Sequence, residues 1–197
     1  MIKVNKEINE RVCQGDVIRS VDYLESITES DGTVEISRVI YPLIVVLTQD
    51  CDLEQDFTYR LDPQRTQGNC LVSVLVAPLY NAEHVFAGEH LLDLDIKCSP
   101  INRKATEGDY LRKNERPRYY YLDFPPETGL VPCVVDFKHY FSVNVEHLRL
   151  LKQSYFVCKV AELFREALSF RFASYLARVG LPTMAEVPSS SGDSPAL

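Results

Sequence analysis

Two stretches of the chain bring chemically capable side chains within a few residues of each other. In VPCVVDFKHYF, residues 131–141, Asp136 precedes His139 by three positions at what reads as a strand end. A carboxylate and an imidazole so close can act as an acid/base pair, although a turn acid beside a surface histidine gives the same pattern. In YPLIVVLTQDCDLEQD, residues 41–56, Cys51 stands between Asp50 and Asp52. A thiol nucleophile needs a cationic or basic partner, and its two neighbours are anions. The competing reading is a strand end whose Asp side chains cap the turn while Cys51 tucks inward.

A third stretch suits binding. NRKATEGDYLRKNERPRYYY, residues 102–121, carries six basic residues interleaved with tyrosines, a pattern that can hold phosphates and stack bases. Arg103, Arg112, Arg116, Arg118 and Tyr119 are its candidate contact residues. On the final helix Arg165, Arg171 and Arg178 recur beside Glu162 and Glu166, which reads as a polar face of ion pairs. His84 and His90 are six apart, not a chelating step on a helix, and no Cys pair has C-x-x-C spacing, so neither metal nor cofactor is expected.

The totals bound these options. The 197 residues carry a net charge of −7, which argues against a broad phosphate-tracking surface but leaves room for a local basic cleft. MIKVNKEINERVCQGD has no apolar signal core, and no run approaches the ~18 apolar residues of a membrane span. Six scattered cysteines read as reduced thiols, so the expected location is the cytoplasm.

The elements that must position these residues are mostly strands. DVIRSVDYL and VEISRVIY alternate about Asp31-Gly32, a type I′-like turn. Pro42 divides the second of these from LIVVL, a continuous apolar run suited to a strand buried on both faces. A polar connection, DCDLEQDFTYRLDPQRTQGN, leads to a second such strand, CLVSVLVAPLY. Residues 81–129 read as an inserted mixed segment. RPRYYYLDF and LVPCVVDFKHYF follow as a hairpin, and VNVEHLRLLK as a short helix capped by Asn144. Apolar residues at three- and four-residue steps predict a long C-terminal helix over 154–180, stopped by Gly180 and Pro182, with a disordered tail over 183–197.

GDVI, YPLIVVLTQD, CLVSVLVAPLY and, more weakly, VPCVVDF resemble successive strands of the MazF/PemK-type toxins, RNA-cleaving enzymes with an SH3-like barrel. The similarity covers roughly residues 13–80 and 130–165. It implies a mainly β, SH3-like barrel over residues 1–182, with the insertion and the C-terminal helix added. The family's second-strand Arg falls at Tyr41, its Thr at Tyr80 and its other strand Arg near Val134, while Asp136 stands where the family can carry an acid. The expected function is therefore a non-catalytic binding or interaction module of a bacterial defence or toxin-related system. Its partner would be a protein or a second copy of the chain. One alternative is an RNA endonuclease rebuilt around Asp136, His139 and the basic run; another is a thiol- or metal-dependent enzyme centred on Cys51.

Overall fold

A computed structural model describes residues 1–62, 64 and 67–178; the tail expected over 183–197 lies outside them. The chain is mainly β. Among the described residues eight antiparallel strands make one curled sheet, a half-barrel, in the order β1-β8-β2-β3-β4-β6-β5, with β7 also on β4. They are β1 (Val4–Asn5), β2 (Asp16–Ser30), β3 (Thr33–Val46), β4 (Ser73–Asn81), β5 (Tyr119–Leu122), β6 (Cys133–Asp136), β7 (Phe141–Asn144) and β8 (Phe156–Val160). The helices are α1 (Asp50–Leu61), α2 (Ala82–Ala87), α3 (Thr106–Arg112), α4 (Val145–Tyr155) and α5 (Glu162–Leu176).

The LIVVL run behaves as a strand covered on both sides. Ile44, Val45 and Val46 have no exposed surface. Val45 joins Val17, Ala77 and Phe137 in one apolar cluster, and Ile44 and Val46 join Ile18, Val76 and Leu148 in the other. Successive side chains of a strand point to opposite faces, so an unbroken apolar run serves both layers. Pro42 does not divide the strand. β3 continues through it in register with β2, because no β4 residue pairs at that position and its missing N–H costs no ladder bond there. Asp31 and Gly32 both have positive φ, 53° and 74°, as the expected turn requires.

Beyond Tyr23 and Val39 the β2–β3 ribbon runs out as a two-stranded arm, exposed on both faces. Its register puts Leu24, Ile27, Val34, Ile36 and Ile40 on one side.

Two expected elements differ. The connection after Leu47 is not a turn: Asp50–Leu61 is helix α1, with Asp50 and Asp52 in its first turn and Arg60 in its last. Those charges complement the helix dipole, a start signal that outweighs the weak apolar pattern of DCDLEQDFTYRL. Asp56 is buried in that helix, accepting from Arg60 Nε at 2.9 Å and from the Leu71 amide at 2.6 Å. The helix expected over 154–180 is two elements in the described residues. Phe156–Val160 is strand β8, inserted between β1 and β2, with Cys158 and Val160 fully buried. Helix α5 follows, burying Leu168 and Phe172 and leaving Leu163 exposed. The β-rich FVCKV segment shared an apolar spacing with the helix beyond it, and tertiary pairing decided between them.

Gly15 fixes where β8 can lie. Its φ is +79°, and a Cβ there would stand 3.2 Å from Val160 Cβ and 3.3 Å from Arg165 Cβ. Beside it Asp16, without exposed surface, faces the equally buried Lys152 of α4 at 2.7 Å and accepts from the Cys13 amide. Lys152 also donates to the Arg11 carbonyl at 2.6 Å. Lys152→Ala leaves the Asp16 carboxylate buried without its counter-charge, and a loss of about 3–5 kcal/mol in denaturant unfolding is expected. Asp16→Asn with Lys152→Met removes both charges and is expected to recover most of that loss.

Candidate active site

The end of β6 gathers the functional groups. Asp136 is its last residue, fully buried, and pairs across the ladder with Tyr119 of β5. Arg118, just before β5, turns its guanidinium onto the carboxylate, with Nε at 2.8 Å from Oδ1 and 3.0 Å from Oδ2. The backbone reinforces the pairing, since Phe137 N–H donates to the Arg118 carbonyl at 2.9 Å. One tight turn, Phe137–His139, then folds back: Lys138 N–H donates to Asp136 Oδ1 at 3.0 Å, and His139 Nδ1 comes to 3.3 Å from Oδ2. The three-residue spacing of Asp136 and His139 thus becomes a contact.

A second histidine arrives from the 81–129 segment. Asn81 caps α2 by accepting from the Glu83 amide, and Gly88 ends that helix in the left-handed region at φ +76°. A Cβ at Gly88 would meet the Cys98 carbonyl at 2.4 Å, so only glycine permits the chain to close there. The turn delivers His90, whose side chain is 1 % exposed, with Nε2 at 3.6 Å from Asp136 Oδ2. Its ring meets Tyr80 of β4 edge-on at 5.0 Å.

Burial by itself would raise the Asp136 carboxyl, but the facing His90 ring, the Arg118 guanidinium and His139 hold it down, at about 2. It is an anion throughout the physiological range. His139 is pushed below the ordinary histidine value, first by burial and also by Arg118, against the pull of Asp136. The His139 Nδ1 faces the buried carboxylate at ion-pair distance without a hydrogen bond, and a neutral imidazole so placed can take up a proton as a general base.

Two clefts open on either side of this cluster. The first, about 600 Å³, is bordered by His139, Tyr119 and four cations, Lys97, Arg116, Arg118 and Lys138, with no acidic residue in its wall. Arg118 also lies over the Tyr119 ring at 4.9 Å. The second, about 650 Å³, is bordered by Tyr80 and His90 together with Tyr41, Leu43 and Leu79.

The expected contact set divides. Arg116, Arg118 and Tyr119 face the cationic cleft. Arg103 and Arg112 do not: both guanidiniums lie over Phe86, at 4.9 and 5.4 Å, and they pair with Glu83 and Asp109. Asp136 and His139 come together, but Asp136 is no surface turn acid and His139 is only 22 % exposed. Cys51 stands apart and does not tuck inward. It is exposed in the first turn of α1, its Sγ near Gln49 Oε1 and Asp52 Oδ1 at 3.7 and 3.6 Å. Its neighbour Asp50 is structural: Arg11 grips both oxygens at 3.1 and 3.0 Å, and the Gln14 amide and Arg165 add to them. Arg165 therefore ties α5 to α1, more than the surface ion pair expected of it. Lys97, Lys138 and the role of His90 escaped the sequence reading, and Tyr80 entered it only as the position of the resembled family's Thr; only the long inserted segment pointed toward His90.

Among the described residues no group of three or more His, Cys, Asp or Glu is arranged to hold a metal ion, and no helix is long and apolar enough to cross a membrane.

The geometry predicts the titration of His139. Followed by NMR, its midpoint is expected below the ordinary ~6.5, and lower still in Asp136→Asn, which removes the one neighbour that favours the imidazolium. In the native protein the folded state favours neutral His139, so its contribution to stability is held above the unfolded value and lost as pH falls through the depressed one.

No family model matches the chain, and no curated protein matches it.

Proposed function

We propose that the chain is an RNA endonuclease of the MazF/PemK-like kind, its half-barrel of SH3-like type and its active site rebuilt around Asp136 and His139. The observation that carries this reading is the cationic cleft. A chain of net charge −7 concentrates four cations and no acid in one cleft wall, next to a carboxylate-oriented imidazole. Tyr41 and Tyr80, which stand in place of the family's Arg and Thr, both border the neighbouring cleft.

In this reading His139 takes the proton from a ribose 2′-hydroxyl. The 2′-oxygen attacks the adjacent phosphorus, the bond to the 5′-oxygen breaks, and that oxygen leaves with a proton from water in the open cleft. The products are a 2′,3′-cyclic phosphate and a 5′-hydroxyl. Arg116, Lys138 and the outer edge of Arg118 offset the negative charge that grows on the phosphoryl oxygens. Tyr119 supplies a ring for base stacking. The cytoplasm is the proposed site of action.

The arm favours a second reading, a protein-interaction module. Leu24, Ile27, Val34, Ile36 and Ile40 are each 51–62 % exposed on one register face. A contiguous apolar stripe of that kind marks a contact surface, and a two-stranded ribbon gains stability from a covering partner. The two readings use different parts of the molecule.

Purified protein is expected to cut single-stranded RNA to cyclic-phosphate ends and to spare DNA of the same sequence, which lacks the 2′-hydroxyl. His139→Gln is expected to lower the rate by about 10²–10⁴-fold with RNA affinity retained. Lys138→Glu is expected to weaken binding and reduce its salt dependence by about one unit of slope. RNA left intact by the wild-type chain would sink the catalytic reading.

A further inference from the structure

We propose that the second cleft is a nucleobase pocket, in which the Tyr80 hydroxyl and the His90 ring take up the hydrogen-bonding edge of a base whose phosphate lies in the cationic cleft. This deepens the RNA reading and rests on it for the identity of the phosphate-bearing ligand.

The first argument is hydrogen-bond accounting. Tyr80 Oη and His90 Nδ1 are buried without a hydrogen-bond partner, while His90 Nε2 is turned to Asp136 Oδ2 at 3.6 Å, and His90 is 1 % exposed at its side chain. Buried polar side chains in native proteins nearly always have partners, and leaving two such atoms unmet in one cleft wall points to a ligand that meets them. Burial also keeps the Tyr80 phenol protonated, first of all because the ionised form would lose its hydration. The hydroxyl can therefore both donate and accept, and His90 Nδ1 adds a further polar atom beside it. Such a set matches the mixed edge of a heterocyclic base better than a carboxylate, which only accepts.

Shape and position agree. Around those polar atoms the wall is apolar and aromatic, with Tyr41, Leu43, Leu79 and Leu130, which suits a planar ring with a polar rim. Leu91 borders both clefts, and Asp136 touches a histidine on each side, His90 facing one cleft and His139 the other. A base in the second cleft would therefore be adjacent to a phosphate in the first. Arg19 and Arg38 at the base of the arm border the same pocket and add positive charge for a neighbouring phosphate.

The test uses ligands that cannot be cleaved. Calorimetry with the full chain compares the 5′-monophosphates of adenosine, guanosine, cytidine and uridine with ribose 5-phosphate, which has no base. At least one nucleotide is expected to bind about tenfold more tightly than ribose 5-phosphate, and the four are expected to differ. Tyr80→Phe keeps the ring and removes one hydrogen-bonding group. It is expected to weaken the preferred nucleotide about tenfold, one hydrogen bond's worth, and to leave ribose 5-phosphate unchanged. An unchanged thermal midpoint confirms that the variant is folded. Five ligands that bind alike, or not at all, overturn the proposal, as does a Tyr80→Phe variant with wild-type ranking. Base-selective binding by a chain that leaves RNA intact supports the pocket and removes cleavage alone. RNA cut without base preference removes the pocket alone.

Discussion

A carboxylate with no exposed surface has to be compensated by its neighbours, and the compensation of Asp136 organises one side of this molecule. Its charge draws Arg118 across the start of β5, turns the chain at Lys138, and brings His139 from the next turn and His90 from a distant segment against one oxygen. Arg118 divides its guanidinium between Asp136 and the cationic cavity, so the group that stabilises the buried anion also presents positive charge to a ligand. The same residues thus stabilise the fold and set the charge of the cleft, and those charges are held in place by the packed protein itself.

A second set of charges, buried at Asp16 and Lys152 and half-buried at Asp50, Arg11 and Arg165, does the same for the framework. Asp16 with Lys152, and Asp50 with Arg11 and Arg165, join the segment before β2 to α1, α4 and α5. Burial pushes the Asp16 carboxyl up, and Lys152 opposes it; for Asp50 the arginines and the Gln14 amide outweigh burial and hold it low. These pairs act as positional locks. Each is satisfied only when three separate elements are in place, which makes the arrangement specific even where a buried ion pair adds little net stability.

Much of the β framework was legible. Alternation, the Asp31-Gly32 turn and the doubly apolar LIVVL run are local signals with period two, and local signals survive in one dimension. The Asn144 cap was legible for the same reason, since its side chain accepts from Glu146 and His147 two and three residues on. Helix α1 was missed because its start is written in charge, Asp50 and Asp52, and not in apolar spacing. Strand β8 was missed because a five-residue apolar run next to a helix fits either period, and only its pairing with Gly15 and Lys159's partners on β1 and β2 resolves it.

The sequence by itself determined which groups could do chemistry: an acid three positions before a histidine, and a basic, tyrosine-rich run in an acidic chain. It could not say that Asp136 is buried, that His90 joins it, that Arg103 and Arg112 turn away onto Phe86, or that Cys51 stands alone at a helix start. Those facts depend on contacts between residues tens of positions apart. Side-chain type and short spacing are properties of the chain, whereas burial and charge pairing are properties of the packed state, and it is the packed state that gathered these groups around Asp136.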